Sequence, residues 1–337
     1  QRLETLPLDV VPDPAPLPHG SRMPFRRNDL FVGRQTDLQD LARALKGGQT
    51  TAIGQIAAAT GLGGIGKTQL ASEFVHRYGP YFAGGVFWLS FADPAAVPAE
   101  IAACGRAGHL DLRPDFGNLP LDDQMRLVLA AWSSPLPRLM VFDNCEDEAL
   151  LDQWCPPSGG ARVLVTSRRG TWRAELGVTC LSLGVLERAE SIQLLQKHRP
   201  DLSAEAAGAI ATELGDLPLA LHVAGSFLAT YRHARFGAPS AYLAQLRETG
   251  LDHLSLAAEG QTLTTAHEHH VGRTFALSYQ RLDPDDEIDA LALALLARAA
   301  HFAPGEPLPR ALLLLTHGLP GDDAAAELRA EQALLRL

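Results

Sequence analysis

The segment that decides the fold reads Gly61-Leu62-Gly63-Gly64-Ile65-Gly66-Lys67-Thr68, a full match to the phosphate-binding pattern G-x-x-x-x-G-K-[ST]. It follows an apolar run, Thr51 to Ala58, and precedes a helical pattern, Gln69 to His76. Glycines let the backbone turn tightly enough to point successive N–H groups at phosphate oxygens. Lys67 supplies a cation, and Thr68 offers its hydroxyl to Mg²⁺. We therefore expect a nucleoside di- or triphosphate and Mg²⁺ here, rather than a glycine-rich turn that only caps a helix.

Composition and charge argue against several functional classes. The chain has 337 residues, of which 46% are hydrophobic and 20% charged, as in ordinary globular proteins. No apolar run reaches the roughly 18 residues that a membrane span requires. The net charge is −10 and the 29 Lys and Arg are dispersed, which argues against nucleic acid as a partner. Without C-x-x-C spacing or a signal-peptide pattern, the sequence predicts a soluble, cytoplasmic protein with no membrane contact.

Short apolar runs alternate with helical patterns over the first half of the chain. Runs such as L-M-V-F and V-L-V-T are apolar at successive residues, which is typical of strands buried on both faces. The alternation predicts an α/β fold, a P-loop NTPase with a parallel sheet flanked by helices. The predicted strands are Thr51 to Ala58, Val86 to Ser90, Leu139 to Asp143, Arg162 to Thr166 and Thr179 to Leu183.

Helical periodicity dominates after about Leu183. The proline-rich stretch from Leu6 to Pro24, in contrast, has little periodicity and predicts an extended linker that tethers this chain to an N-terminal domain. The predicted helices of the second half are Glu187 to Lys197, Ala204 to Leu214, Leu217 to Thr230 and Ser240 to Glu248, with a further helical block from Thr274 to Gln332. The predicted regions are a linker (1–28), a P-loop nucleotide-binding domain (29–183), a helical subdomain (184–252) and a last linker and subdomain (253–337).

A carboxylate is expected opposite the phosphate loop, because such folds hold Mg²⁺ between the loop and an acid at the end of a buried strand. The run Leu139-Met140-Val141-Phe142-Asp143 has this pattern, known as Walker B. Asp143 is therefore predicted to bind Mg²⁺ through water, opposite Thr68. The alternative is that Asp143 caps the helix that follows the strand, a role that Asn144 could equally fill.

Two arginines follow the next predicted strand, in Val165-Thr166-Ser167-Arg168-Arg169. Ligands of open α/β sheets bind at this carboxyl edge of the strands. A guanidinium makes bidentate contacts with phosphate and keeps its charge, so one of these arginines is predicted to sense the γ-phosphate. The alternative, given equal weight, is a solvated pair of arginines that form salt bridges with nearby Asp and Glu.

Five segments together resemble the NB-ARC branch of the STAND signalling ATPases in their order and rough spacing. They are Phe31-Val32-Gly33-Arg34, the phosphate loop, L-M-V-F-D-N, V-L-V-T-S-R and Gly215-Asp216-Leu217-Pro218-Leu219-Ala220. The phosphate loop is common to many NTPases, whereas V-G-R combined with G-D-L-P-L-A is far more restrictive. The resemblance covers about Asp29 to Leu337, nearly the whole chain after the proline-rich stretch.

The resemblance implies an adenine nucleotide, ADP or ATP, and roles for particular residues. Val32 and Arg34 resemble the segment that packs on adenine and ribose, and Pro218 and Leu219 resemble an element that contacts the nucleotide from the helical subdomain. Arg168 aligns with the presumed sensor, on a strand that the family fold inserts between the P-loop and Walker B strands. The expected catalytic residues are Lys67, Asp143 and Arg168, and the expected nucleotide-binding residues are Val32, Gly33, Arg34, Gly61, Gly63, Gly64, Ile65, Gly66, Lys67, Thr68, Gln69, Pro218 and Leu219.

The second half of the chain is also interpreted through the resemblance. The region from about Leu183 to Gly250 resembles the first helical subdomain of the family. The block from about His270 onward resembles the start of a winged-helix subdomain, entered through Ser278-Tyr279-Gln280-Arg281-Leu282 and truncated at the end of the chain. Fused N-terminal effector and C-terminal sensor domains are expected outside this chain.

Two departures from the family pattern bear on hydrolysis. Many relatives carry a second acid after the Walker B Asp, thought to orient the attacking water, but this chain has Asn144 there. An amide does not accept a proton as a carboxylate does, so hydrolysis is expected to be slow or to depend on Glu146 or Asp147. The late Met-His-Asp signature is also absent, and His317 is too weak a match to replace it.

The leading hypothesis is a signalling switch, closed with ADP and self-associating with ATP, as in plant disease-resistance proteins and bacterial regulators or defence proteins. The alternative is a continuously cycling motor or remodelling ATPase, and a third is a metabolic P-loop kinase, which would need a phosphoacceptor pocket. A histidine cluster, His267, His269 and His270, lacks the H-E-x-x-H spacing of a metal site and predicts a polar loop or interface.

Overall fold

The computed structural model describes residues 3–47, 50–55, 64–156, 160–248, 279, 282–302, 308–316 and 324–336. They fall into two compact units, Gln1–Glu190 and Ser191–Leu337. The first unit contains the sheet and the phosphate loop. Among the described residues, no helix is both long and apolar enough to cross a lipid bilayer.

A five-stranded parallel sheet forms the centre of the first unit, in the order β2-β3-β4-β1-β5. The predicted α/β class is therefore confirmed. The position of β4 between β1 and β3 is the one that the family resemblance implies. The strands are β1 Thr50–Gln55, β2 Val86–Ser90, β3 Arg138–Asp143, β4 Ala161–Thr166 and β5 Val178–Leu183, and the helices are α1 Gln35–Lys46, α2 Lys67–Tyr78, α3 Val97–Ala103, α4 Leu121–Trp132 and α5 Glu148–Trp154.

The central strands are apolar on both faces because helices and loops cover both sides of the sheet. All six residues of β3 are buried, and Met140 and Phe142 pack with Phe87 and Trp132 in one core cluster. Four strands, β1, β3, β4 and β5, begin one residue before the predicted start. Their first residues pair with one another across the sheet, Thr50 with Val178 and Arg138 with Ala161, and a pattern of apolar residues does not mark where such pairing starts. The prediction that β1 continues to Ala58 falls partly outside the described residues.

The proline-rich N-terminal segment is largely without helix or strand, as predicted, but it lies along the first unit instead of forming a free tether. Leu6 is 2% exposed. The backbone N–H of Arg22 donates to Val86 (2.7 Å), and the N–H of Trp88 donates back to Arg22 (2.9 Å), which makes one parallel bridge to the edge strand β2. The Arg22 guanidinium also binds the Glu100 carboxylate at 2.8 Å. An extended backbone has unpaired polar groups, and here a strand edge satisfies them.

The second unit is helical in its described residues. Its helices are α6 Arg188–His198, which begins in the first unit, α7 Ala204–Glu213, α8 Pro218–Thr230, α9 Pro239–Glu248, α10 Glu287–Ala299, α11 Arg310–Thr316 and α12 Ala324–Arg336. Ser203 and Asp286 cap α7 and α10 by accepting hydrogen bonds from backbone N–H groups. Leu282, Leu295 and Leu313 share one apolar cluster.

The helices predicted from periodicity between residues 187 and 248 agree with α6 to α9 to within two residues. The described part of the region predicted to be winged-helix-like consists of α10, α11 and α12, so its classification and the domain boundaries stay predictions. The polar stretch from Leu251 to Val271, the histidine cluster, His317 and most of the predicted entry segment, apart from Tyr279 and Leu282, lie outside the described residues.

Candidate phosphate-binding site

The described half of the phosphate loop leads directly into α2. Gly64 and Gly66 have φ angles of 85° and 92°, a region that residues with a Cβ rarely adopt. Gly66 is the N-cap of α2, and Lys67 and Thr68 form the first turn. The first N–H groups of a helix lack intrahelical partners and attract anions, so this turn has the geometry of an anion-binding terminus. Gly61 and Gly63 lie outside the described residues.

Three oxygen-bearing side chains meet beside this turn. The Thr68 hydroxyl donates to Asp143 Oδ1 at 3.0 Å, and the Thr166 hydroxyl donates to the same oxygen at 2.5 Å. Asp143 ends β3 and Thr166 ends the neighbouring strand β4, both almost completely buried. The parallel sheet places these two strand ends at one edge, facing the N-terminus of α2. The sequence therefore predicted the pairing of Thr68 with Asp143 correctly in space.

The loop after Asp143 uses its other polar groups for local structure. Asn144 has a φ of 60°, and its N–H donates to the Thr166 hydroxyl at 2.9 Å. Asp147 accepts a hydrogen bond from the Ala149 N–H and caps α5. The alternative in which Asp143 caps the next helix is thus not what the structure shows. Thr166, which the sequence placed in V-L-V-T-S-R without giving it a role, joins the loop to Asp143; its hydroxyl at the carboxyl end of a strand was the signal available for it.

The environment of Lys67 combines burial with nearby charge. Burial lowers the pKa of Lys67, because removal from water disfavours the ammonium form. Glu146 is the strongest charge that opposes this shift, Arg168 acts in the same direction as burial, and Asp143 opposes it more weakly. Two acids and one further cation therefore surround the lysine that the motif assigns to phosphate.

Ion pairs line the outer rim of the same sheet edge. Arg168 Nε donates to Glu146 at 3.3 Å, and its backbone N–H donates to the same carboxylate at 2.9 Å. Arg169 donates to Glu148 at 2.9 Å. These contacts are the salt bridges of the second sequence alternative. The role of Arg168 as a sensor of phosphate stays a prediction.

The segment Val32-Gly33-Arg34 connects the phosphate loop to the end of β5. Val32 is buried, and the guanidinium of Arg34 donates to the carbonyl oxygens of Gly184 (2.7 Å) and Ile65 (3.4 Å). The Arg34 N–H donates to Glu190 at 3.1 Å. Gly33 has a φ of 60°, which strains residues with a Cβ, and a Cβ there would lie 2.0 Å from that carboxylate and force it to move. Sequence reasoning missed Glu190, which carries no motif of its own.

The remaining predicted residues have other surroundings. Gln69 is exposed on α2 and accepts a hydrogen bond from Asn28 of the N-terminal segment at 3.0 Å. Pro218 and Leu219 form the first turn of α8 in the second unit, where Leu219 is 40% exposed. Their approach to the nucleotide stays a prediction.

Three known proteins are similar to this chain in sequence. The regulatory protein AfsR of Streptomyces griseus is 29% identical over 272 residues, and AfsR of Streptomyces coelicolor is 28% identical over 305, covering 75% and 87% of this chain. A nucleotide-binding leucine-rich repeat (NLR)-like protein of Hyaloscypha variabilis is 25% identical over 61% of the chain. These relatives confirm the predicted resemblance to NB-ARC-type STAND proteins. The chain spans only 23–28% of the length of those relatives.

Two solved structures align with most of the chain, but at low sequence identity. A STAND protein with a tetratricopeptide repeat sensor from Pyrococcus horikoshii aligns with 94% of this chain and 41% of its own length, at 18% identity and a TM-score of 0.48. A Walker-type ATPase of Pyrococcus abyssi aligns with 95% of the chain and 98% of its own length, at 13% identity and a TM-score of 0.44. No family model matches the chain.

Proposed function

We propose that this chain is the nucleotide-operated switch of a larger signalling protein. It binds ADP in a resting state and ATP in a state that self-associates, and it hydrolyses ATP slowly. The observation that carries the proposal is the contact of Thr68 with Asp143 at the N-terminus of α2, at 3.0 Å. The names of the sequence relatives, two regulatory proteins and an NLR-like protein, support signalling over metabolism.

The residues at this contact fit Mg²⁺. The ion prefers oxygen ligands, keeps several waters and is held by one or two protein groups together with phosphate. Thr68 and Asp143 present a hydroxyl and a carboxylate oxygen side by side. In the proposal, Thr68 and Asp143 would hold the ion, Asp143 through water, and Lys67 would bind the phosphates. The ion would supply positive charge to neutralise the phosphates of the nucleotide.

The contacts of Arg34 support a switch. Its guanidinium binds the phosphate loop at Ile65 and, at Gly184, the segment that leads from the sheet into α6. A change at the phosphate loop can therefore bias the start of the helical region through one side chain. To move a two-state equilibrium from 1:99 to 99:1, the two nucleotides must differ by about 5.5 kcal/mol in their preference.

The loop after β3 supports slow hydrolysis. Asn144 is an amide, and the Asp147 carboxylate caps α5, so neither is placed as a proton acceptor. A motor, by contrast, requires efficient turnover, and typical enzymes have kcat values of about 1–1,000 s⁻¹. Steady hydrolysis in that range by the purified chain, without any activator, would favour the alternative of a continuously cycling ATPase.

The decisive experiment is to identify the nucleotide that the purified chain retains. We expect the native protein to release ADP on denaturation, detected by mass spectrometry, and the Lys67→Ala variant to release none. Lys197→Ala is the matched control, because Lys197 is exposed on α6. Equal retention by Lys67→Ala, or a native chain that binds neither ADP nor ATP with Mg²⁺, would exclude the assigned site.

Self-association is tested separately by light scattering. We expect a smaller species with ADP than with a non-hydrolysable ATP analogue and Mg²⁺. The same mass in both conditions would contradict the switch while leaving nucleotide binding intact.

A further inference from the structure

Glu146 organises the turn that follows β4. Its carboxylate accepts hydrogen bonds from the Ser167 hydroxyl (3.0 Å), the Arg168 backbone N–H (2.9 Å) and Arg168 Nε (3.3 Å). Two of these bonds hold the backbone turn, and the third holds the guanidinium. The carboxylate therefore both shapes the turn and binds the side chain expected to sense phosphate.

The pair of Glu146 and Arg168 lies on the loops that leave two neighbouring strands beside the phosphate loop. Glu146 follows the end of β3 by three residues, and Arg168 follows the end of β4 by two. At the end of β3, Asp143 accepts a hydrogen bond from Thr68 at 3.0 Å, so both loops start next to the turn that begins α2. In keeping with this position, Glu146 and Arg168 are the two strongest charges that affect the pKa of Lys67.

We propose that Glu146 competes with the terminal phosphate of a bound nucleoside triphosphate for Arg168, and so sets how strongly the site prefers a triphosphate over a diphosphate. Glu146 is then a positioning residue that acts through Arg168. The inference rests on the proposed function, and it assigns to Glu146 a task different from the water-orienting one that its nearness to Asn144 suggests.

Exposure makes such an exchange feasible. The side chains of Arg168 and Glu146 are 62% and 33% exposed. Ion pairs in such surroundings are weak, because water and salt screen them. Arg168 contacts the Glu146 carboxylate through Nε at 3.3 Å, whereas a terminal phosphate carries more negative charge and can accept two parallel hydrogen bonds from a guanidinium. The bonds from Ser167 and from the Arg168 N–H would keep the turn in place after the guanidinium leaves.

A second pair on the same rim provides a control. Glu148 binds Arg169 at 2.9 Å and Arg173 at 3.1 Å, and the Arg169 side chain is also exposed, at 40%. Glu148→Gln therefore removes one negative charge from the rim without freeing Arg168. Glu146→Gln removes the charge beside Arg168 and keeps a carbonyl oxygen that can accept from the turn.

The test measures dissociation constants for ADP and for a non-hydrolysable ATP analogue, both with Mg²⁺, on the full chain by calorimetry. We expect Glu146→Gln to tighten binding of the triphosphate relative to ADP by about 2- to 5-fold, the range of an exposed ion pair. Glu148→Gln should leave the ratio unchanged. Arg168→Ala should lower the preference for triphosphate. When Glu146→Gln is combined with Arg168→Ala, the ratio of the two dissociation constants should be the same as in Arg168→Ala alone.

A structural role alone would weaken both nucleotides equally and lower the melting temperature, without a change in their ratio. An unchanged ratio in Glu146→Gln, or the same shift with and without Arg168, overturns the inference while nucleotide binding by the native chain still stands. A native chain that binds neither nucleotide overturns both the inference and the proposed function.

Discussion

The inner and outer parts of the candidate site hold their charged groups in different ways. In the inner part, Thr68 and Thr166 donate to a buried Asp143 within a closed network. On the rim, Glu146 and Glu148 bind arginines that are 40–62% exposed. A buried polar group is costly to leave unpaired, whereas an exposed ion pair contributes about 0–1 kcal/mol. The inner network is therefore suited to fixed geometry, and the rim to exchange of partners.

The largest effect is expected from Asp143→Asn in the inner network. The amide keeps the size of the side chain and removes the charge that would hold a water of Mg²⁺. Loss of such an outer contact lowers metal affinity about 10- to 100-fold. We therefore expect Mg²⁺ to increase nucleotide affinity about 10- to 100-fold less in Asp143→Asn than in the native chain. Titration of nucleotide with and without the ion measures this increase.

Asp147→Asn serves as its control, because this carboxylate caps α5 a few residues later on the same loop. If Mg²⁺ dependence is unchanged in Asp143→Asn, or falls equally in Asp147→Asn, then Asp143 has no special role in binding Mg²⁺.

A smaller effect is expected from Thr166→Val, which keeps the shape of the side chain but removes its hydroxyl. Asp143 then loses a donor and the Asn144 N–H loses its acceptor. Leaving buried groups unpaired costs on the order of 1–2 kcal/mol in the free energy of unfolding, measured by urea denaturation. Thr179→Val on the exposed part of β5 should stay within about 0.5 kcal/mol of the native chain. Equal losses of unfolding free energy in the two variants would contradict a special contribution of the buried Thr166 hydroxyl to stability.

The smallest effect on stability is expected from Glu148→Gln on the rim. The free energy of unfolding should fall by less than about 1 kcal/mol, and the difference from the native chain should shrink in 1 M salt, because mobile ions screen exposed pairs. The measurement is urea denaturation at low and high salt. A loss above about 1 kcal/mol that salt does not reduce would mean that the rim pair contributes as much to stability as the buried inner network.

Sequence reasoning was accurate where a single local pattern decides the structure. The four later strands were predicted to within one residue, because continuous apolar runs between turn residues mark strands covered on both faces. Thr68 and Asp143 were also expected to face each other, and they are in contact at 3.0 Å, while their binding of Mg²⁺ stays a prediction. The three-dimensional structure was needed to choose between the alternatives for Asp143 and to find the salt bridges of the two arginines, because spacing alone does not show which group a side chain contacts.

The N-terminal segment and Arg34 show the limit of such reasoning. Prolines predict an extended backbone, but they do not reveal the strand edge at Val86 and Trp88 to which the segment binds. The motif resemblance assigns Arg34 to the nucleotide, which stays a prediction, and it does not reveal that the guanidinium contacts the carbonyls of Ile65 and Gly184. Backbone carbonyls exist at every residue, so no pattern in the sequence marks those that accept from an arginine 31 or 150 positions away.

By itself, the sequence determined the class of fold, the position of the phosphate loop and the resemblance to a family, because glycine geometry, strand burial and motif order are local properties of the chain. Only the tertiary structure decided which side chains donate hydrogen bonds to Asp143, which carboxylate pairs with Arg168 and which carbonyls accept hydrogen bonds from Arg34. Those contacts depend on the order of strands in the sheet and on the direction in which each turn leaves it, and both arise from packing between distant segments.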